Sequence, residues 1–360
     1  MTTPASPNPL KFSDINTEVG NASDATLNMN NSKLRGLFQD FSGEIAMSSG
    51  RNKTYTIKAV YNTTGATTFV VPTTVTSISV KLWGSGGGGG QGATGSGGGG
   101  SGGFVSGTIT VTPGESLYVF VPTGGTGEST TGKVSGAGGS WAGIFRGGTP
   151  LMIAGGGGGG GPDRSGSSGG NGGAGGGTTG GTGGQDSSAD GHQGFGGSQT
   201  TGGAGGTSGG DNGEAGGYLY GGDGAAQTTI GRGDNGAGAI LGNARYGTGG
   251  AKSTQAAQRS GGGGGGGGYF GGGGAAQGSD SNPLGGAGGG GGSSYTGGAV
   301  AGTATNTQGS IGSRTANVLP PNTGDADYVA YGVSLSVGIG LKGNQEVAAG
   351  RGMVVISWTY

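Results

Sequence analysis

The sequence predicts a mostly β protein, an antiparallel β-sandwich with an inserted bundle of glycine-rich polyproline-II helices and a small helical N-terminal module. Apolar residues alternate with a period of two near both ends of the chain, whereas the first fifty residues have helical spacing. Glycine accounts for 106 of the 360 residues. Only 29% of residues are hydrophobic, against about 45–50% apolar residues in ordinary globular proteins. Main-chain contacts must therefore carry much of the fold.

Residues 1–50 form the predicted N-terminal module. A short helix is expected over residues 12–20, where Gly20 supplies a stop signal, and a second one over residues 31–38. Helices of this length are marginal in water on their own. We therefore expect the module to dock on a partner through its apolar residues, Ile15, Leu34, Leu37 and Phe38.

The strands of the predicted sandwich begin at about residue 53. Alternating apolar residues predict strands at 55–61, 68–71, 78–83, 105–111 and 117–121, with short apolar segments at 144–145 and 151–153. Pro113-Gly114 provides a turn between two of them. Many short strands separated by turns are typical of an antiparallel β-domain.

The C-terminal part of the chain has the same pattern and completes this domain. Alternation over residues 329–339 and again over 354–360 predicts two late strands, which need strand edges to pair with. The economical arrangement is one sandwich made of residues 51–154 and 311–360, with residues 155–310 inserted into it. Trp83 and Trp358 are its expected large core or rim aromatics.

The glycine-rich insertion has two interpretations. It is either a flexible linker or a bundle of polyproline-II helices whose bare backbones hydrogen-bond to one another. Collagen is excluded, because the chain has 11 prolines and no sustained Gly-X-Y period. Ordering costs about 1–2 kcal/mol per residue, and a net hydrogen bond contributes about 0.5–1.5 kcal/mol. We favour the bundle because the sandwich anchors both of its ends.

Composition excludes several classes of function. The net charge is −1 and 10% of residues are charged, so no basic surface predicts nucleic-acid binding. No apolar run approaches the roughly 18 residues that cross a bilayer, and the start of the chain lacks the pattern of a secretory signal. We expect a protein made in the cytoplasm that does not insert into membranes. The absence of cysteine excludes disulfides and thiolate metal sites.

Catalytic motifs are weak or incomplete. Residues 99–103 fit G-x-S-x-G without a strand-to-helix context, and His192 is the one histidine available to a catalytic triad. Gly132-Lys133 is followed by Val134 where a phosphate loop needs Ser or Thr. The Asp-Asn-Gly triplets at 211 and 234 are more typical of turns than of calcium ligands. We expect no enzyme, no cofactor and no metal site.

Candidate binding residues interrupt the glycine-rich region. His192, Phe195, Arg245 and Tyr246 lie in pieces between glycine runs, which are expected to be turns at the ends of rods. The aromatic residues Tyr218, Tyr220, Tyr269 and Phe270 have two interpretations. They seal the sides of the bundle, or they offer flat faces to sugar rings.

Two sets of motifs carry a family resemblance. FSDINTE (12–18), NMN (28–30), LRGLF (34–38) and SGEIAMS (42–48) together resemble an N-terminal module of phage virion structural and tail proteins. A second set resembles the glycine-rich domain family of phage tail fibres, which is similar to the extracellular glycine-rich domain of anaplastic lymphoma kinase receptors. This set consists of FVVP (69–72), VTSISVKLWG (75–84), GGFVSG (102–107), TPGE (112–115), GGSSY (291–295) and GRGMVVISW (350–358).

The resemblance implies a bacteriophage tail fibre or tail-tip adhesin located in the virion. Its first fifty residues would bind other virion proteins, and loops between glycine helices would bind a host cell-surface glycan or protein. A purely structural virion protein, such as a capsid decoration or fibre shaft, is the alternative. Irregular glycine triplets argue against an ice-binding bundle. Whether the chain is a monomer or a homo-oligomer such as a trimer stays open.

Overall fold

The structure, a computed structural model, places most of the chain after residue 55. It describes residues 15–16, 56–92, 95–127, 134–164, 167–186, 192–208, 211–225, 228–230, 247–254, 260–277, 285–343 and 348–359. Most of the predicted N-terminal module lies outside this part, including Leu34, Leu37 and Phe38. Ile15 is described and is buried.

Eleven strands lie in the described residues. In chain order they are β1 Ile57–Tyr61, β2 Gly65–Val70, β3 Ser77–Trp83, β4 Phe104–Thr110, β5 Ser116–Val121, β6 Ala142–Arg146, β7 Thr149–Ala154, β8 Thr228–Ile230, β9 Lys252–Thr254, β10 Thr305–Thr307 and β11 Met353–Trp358. Two antiparallel sheets have the orders β1-β11-β3-β4-β10 and β2-β5-β6-β7, and β8 pairs with β9 in a separate ribbon. The prediction of a mostly β, antiparallel protein is confirmed.

The alternating residues of both sheets meet in one apolar cluster. Strands β3, β4 and β11 of the first sheet and β2, β5, β6 and β7 of the second all contribute buried side chains to it. Trp358 packs at its margin, with its ring centroid 5.5 Å from that of Phe69. Trp83 is fully buried in a second cluster, with Phe104, Tyr328, Val337, Met353 and Val355. Neighbouring residues on one strand therefore enter two different apolar clusters.

The strand predicted over residues 329–339 is wrong. The chain there makes one π-helical turn, Tyr328–Gly332, and a 3-10 turn, Val333–Leu335. The Tyr328 ring lies 5.8 Å from that of Trp83, and its hydroxyl donates to the Val337 carbonyl at 2.9 Å. A helical turn puts Tyr328 on the apolar surface around Trp83 and leaves Val329 and Val333 exposed. A need to cover that surface outweighs the local strand pattern.

The glycine segments are joined by main-chain hydrogen bonds with a period of three. Successive N–H groups over residues 156–161 point to three different neighbouring segments and return to the same segment every third residue. They donate, in order, to the carbonyl oxygens of Gly267, Ser85, Gly173, Gly264, Gly88 and Gly170. The carbonyl groups of the same stretch accept from three further segments, through Gly97, Gly100, Gly136, Gly139, Gly289 and Gly292. This stretch therefore has six neighbours.

The contacts between these segments leave no room for side chains. A Cβ atom at Gly157, Gly158 or Gly159 would overlap a carbonyl oxygen of a neighbouring segment. We call the hydrogen-bonded segments together the glycine array. It also includes segments at 84–92, 95–103 and 134–140, which precede the predicted insertion, whereas β10 within residues 155–310 pairs with β4.

Candidate functional site

Four aromatic rings lie together where the glycine array meets the second sheet. Tyr218, Tyr269, Phe270 and Tyr295 form this aromatic cluster. Tyr269 is at its centre, with ring centroids 5.6 Å from Tyr218, 5.3 Å from Phe270 and 4.2 Å from Tyr295. The contact with Tyr295 is stacked, and the others are edge-on, which are favourable geometries for aromatic pairs. All four side chains are half-buried.

Main-chain bonds attach the cluster to the rigid parts of the molecule. Tyr295 exchanges two hydrogen bonds of 2.8 Å with Ile153 of β7. The N–H of Tyr269 donates to the Ser293 carbonyl at 2.9 Å, at the end of a glycine segment. Because each ring is carried by backbone that is itself paired, we expect the cluster to keep its shape when a ligand binds.

The turn that carries Tyr218 has an unusual backbone conformation. Leu219 has a φ of 62°, in the left-handed region that costs non-glycine residues about 1 kcal/mol or more. Its side chain is buried, and its carbonyl oxygen accepts a 2.9 Å hydrogen bond from Trp141 Nε1. Burial and this hydrogen bond together stabilise the strained turn, and this turn brings Tyr218 to Tyr269.

A fully apolar layer lies under the cluster. Phe120, Trp141, Phe145, Ile153 and Leu219 are buried there, and Tyr118 packs against them together with rings of the aromatic cluster. The cluster therefore seals this layer on one side and leaves part of each ring exposed on the other. Half-exposed rings with phenol hydroxyls can stack on a sugar ring or an apolar side chain and can also hydrogen-bond to it.

The structure brings together three of the eight predicted receptor-binding residues, Tyr218, Tyr269 and Phe270. Tyr220 lies in the same turn as Tyr218, and its ring covers Gly217. Phe195 lies elsewhere on the glycine array, with 40% of its surface exposed.

His192 is placed away from the surface. It is buried, with Nδ1 3.2 Å from an Asp186 carboxylate oxygen. Arg245 and Tyr246 lie outside the described residues, so their predicted role stays a prediction.

Sequence reasoning missed Tyr295 and Trp141 as parts of this region. A signal for Tyr295 was present, because Tyr269 and Tyr295 both follow long glycine runs. The glycine runs that precede Tyr269 and Tyr295 are neighbours in the array, and the residues that follow them therefore lie side by side. Trp141 follows Gly138-Gly139-Ser140 in the same way.

A charged network on the first sheet is compensated internally. The Lys81 ammonium lies 2.8 Å from both Asp325 and Asp327, and Lys58 also pairs with Asp327. Burial by itself would raise the pKa of Asp327, but the hydrogen bonds from the two lysines outweigh it and hold this pKa below its ordinary value. Burial would likewise lower the pKa of Lys81, and its bonds to Asp325 and Asp327 raise it instead. This network attaches the helical turns to the sheet.

The described residues contain neither a cluster of metal-ligating side chains nor a helix suited to span a membrane. No group of three potential metal-ligating His, Cys, Asp or Glu residues occurs among the residues that the structure places. None of the helices in that same part of the chain is long and apolar enough to cross a membrane. The aromatic cluster is the candidate site that the geometry favours, because its four rings are in mutual contact and half-exposed. No protein-family model and no curated protein matches the chain.

Proposed function

We propose that this chain is a bacteriophage virion structural protein, a tail fibre or tail-tip adhesin that binds the host surface through its glycine-rich domain. The observation that carries the proposal is an aromatic cluster held half-exposed on hydrogen-bonded glycine segments. The resemblance of both motif sets to phage virion proteins supports it.

We interpret the two sheets as a β-sandwich and the glycine segments as packed polyproline-II helices. One apolar cluster shared by both sheets supports the sandwich. The period of three in the hydrogen bonds of residues 156–161 supports the helices, because polyproline II has three residues per turn and no internal hydrogen bonds. Six neighbours around one segment fit a hexagonal bundle.

This architecture suits adhesion for an energetic reason. Association must offset the entropy of ordering side chains and loops, and a scaffold that is already ordered reduces this cost. Aromatic rings then provide contact area with few rotatable bonds. The proposed ligand is a host cell-surface glycan or protein, bound by the aromatic cluster together with Phe195 and the turns between glycine segments.

The remaining parts of the chain have roles in assembly under this proposal. The first fifty residues would dock on other virion proteins through the apolar stripe at Leu34, Leu37 and Phe38, whereas Ile15, which was also predicted to dock, is buried and not available for such a contact. The protein would be made in the host cytoplasm and function in the virion, as a monomer or a trimer.

Cell-binding measurements test the adhesin proposal. The double variant Tyr218→Ser, Phe270→Ser should bind susceptible bacteria or their outer membranes about tenfold or more weakly, because truncating one of the few central aromatic residues that dominate an interface typically costs about 2 kcal/mol or more. Tyr331→Ser is the matched control, since Tyr331 is 38% exposed on the helical turn. Equal loss in both variants, or no binding by the parent protein across a bacterial panel, would count against the proposal.

A purely structural virion protein is the second candidate. Val329, Val333 and Leu319 are 60%, 59% and 55% exposed, and exposed apolar side chains suit contacts with neighbouring virion proteins. Antibody labelling of intact particles distinguishes the two candidates. A few copies at the tail tip favour the adhesin, whereas many copies over the capsid or along a fibre shaft favour the structural protein.

A further inference from the structure

A cavity of about 430 Å³ opens beside the turn between β1 and β2. Its lining is rich in hydroxyl groups, and it includes one cationic side chain. The lining residues are Thr64, Thr123, Gly124, Ser334, Leu335, Ser336, Ala348, Ala349, Gly350 and Arg351. A cavity of this size accommodates a small organic molecule such as a monosaccharide.

The cation is Arg351, which precedes β11. Its Nη1 donates to the Asn62 carbonyl oxygen at 3.0 Å, and this bond orients the guanidinium group. Among the residues that the structure places, no Asp or Glu forms an ion pair with it. A guanidinium has five N–H donors arranged to bind carboxylate or phosphate oxygens in pairs, and the bond to Asn62 uses one of them.

The part of the cavity wall that contains Ser334 and Ser336 is held by main-chain bonds. Ser336 is left-handed, with a φ of 52°, and its N–H donates to Val333 at 3.1 Å while its carbonyl accepts from Ile339 at 3.2 Å. A Cβ at Gly350 would overlap the Ser336 carbonyl oxygen. The hydroxyl-bearing turn and the segment with Arg351 are therefore packed directly together before any ligand arrives.

Two other cavities in the described residues lack this combination. The cavity of about 300 Å³ beside Lys81 contains a cation whose charge is compensated by Asp325 and Asp327. The cavity of about 310 Å³ along residues 60–67 has no charged lining residue. Of these three, only the cavity with Arg351 offers a cation that has no carboxylate partner among the described residues.

We propose that this cavity binds a small organic anion, a carboxylate or phosphate carried by a molecule of monosaccharide size. Arg351 would bind the anionic group, and the hydroxyls of Thr64, Thr123, Ser334 and Ser336 would hydrogen-bond to the rest of the ligand. The site shares no residue with the aromatic cluster, so this inference does not depend on the adhesin proposal.

Calorimetric titration of the full chain tests the proposal with three probes, glucuronate, glucose and inorganic phosphate. Glucuronate should bind at least tenfold more tightly than glucose, its neutral counterpart, and Arg351→Gln should abolish this preference. Arg314→Gln is the matched control, because Arg314 also donates to a main-chain oxygen, that of Gly169, at 3.0 Å. Its titration should match that of the parent protein.

A second variant separates binding from folding, because Arg351 also tethers the β1–β2 turn. Ser334→Ala combined with Thr123→Val should weaken glucuronate binding at least threefold with an unchanged unfolding midpoint. Binding of phosphate without glucuronate would support the anion site and assign it to phosphate-bearing ligands. Equal binding of glucuronate and glucose, binding unaffected by Arg351→Gln, or no binding of either anion would overturn the proposal.

Discussion

Individual glycines in the array occupy positions where any side chain would overlap the backbone of a neighbouring segment. At Gly158, the position of a Cβ is occupied by the carbonyl oxygen of Gly289, so the two backbones touch directly. Such close approach allows each N–H to reach a carbonyl of another segment, and Gly158 donates to Gly173 at 2.8 Å. The methyl group of an alanine at position 158 would force the two backbones apart. Because the overlapping atoms belong to the main chain, no change of side-chain rotamer can relieve the overlap.

Replacing Gly158 by alanine should therefore lower the free energy of unfolding by about 3 kcal/mol or more, the upper part of the range for overpacking. Denaturant unfolding followed by the fluorescence of buried Trp83 and Trp141 measures this change. Gly148→Ala is the control, because nothing lies within 4 Å of a Cβ there. It should be neutral or slightly stabilising. Equal effects at the two positions would contradict the close packing of the array.

The helical turns at Tyr328–Leu335 are stabilised by contacts with the sheet rather than by their local sequence. Asp327 has only 4% of its side chain exposed, and it accepts hydrogen bonds from Lys58 and Lys81 of two strands. Tyr328 next to it covers Trp83, and burial raises the pKa of its hydroxyl to about 12. Two adjacent residues therefore attach this turn to the sheet: Asp327 through ion pairs and Tyr328 through packing on Trp83.

Asp327→Asn should lower the free energy of unfolding at pH 7 by about 1–2 kcal/mol. The effect is modest because the paired lysine side chains are 34% and 40% exposed and stay hydrated. Folding lowers the pKa of Asp327, so its contribution is present above the unfolded pKa of about 4 and is lost as the pH falls through the folded pKa.

Thermal unfolding between pH 7 and pH 2 tests this contribution. The parent protein should lose more stability than Asp327→Asn over this range. Asp211→Asn, which changes an exposed carboxylate, should follow the parent protein. An identical pH dependence of the parent protein and Asp327→Asn would show that the ion pairs of Asp327 do not stabilise the turn.

The sheets and the glycine array depend on each other across the whole molecule. The last strand, β11, lies between β1 and β3 in the first sheet, so this sheet cannot be completed before the end of the chain is in place. Glycine segments follow β3 and β7 directly and precede β4 and β11. The strands therefore set the starting positions of segments that could not nucleate alone.

Hydrogen exchange should reveal one cooperative unit. Amides of residues 156–161 should be protected to within about tenfold of amides in β3, because both open only when the whole structure does. Amide exchange followed by mass spectrometry or NMR measures this, with Gly147 and Gly148 of the exposed turn between β6 and β7 as the fast-exchanging reference. Unprotected amides at 156–161 beside a protected β3 would mean that the array is a loose insertion.

The sequence by itself determined the local parts of this protein. Alternation located β1 to β5 and β11, short apolar segments located β6 and β7, and glycine runs located the segments without side chains, because these features are visible within a few residues. The same reasoning marked Tyr218, Tyr269 and Phe270 as interruptions of the glycine pattern, but it could not identify Tyr295 as their partner.

Only the tertiary structure decided the rest. Residues 329–339 have a strand pattern and form helical turns, because the apolar surface around Trp83 has to be covered. The bond of Arg351 to Asn62 joins residues 289 positions apart. Such pairings depend on which segments become neighbours in space, and a local pattern of residues carries no information about that.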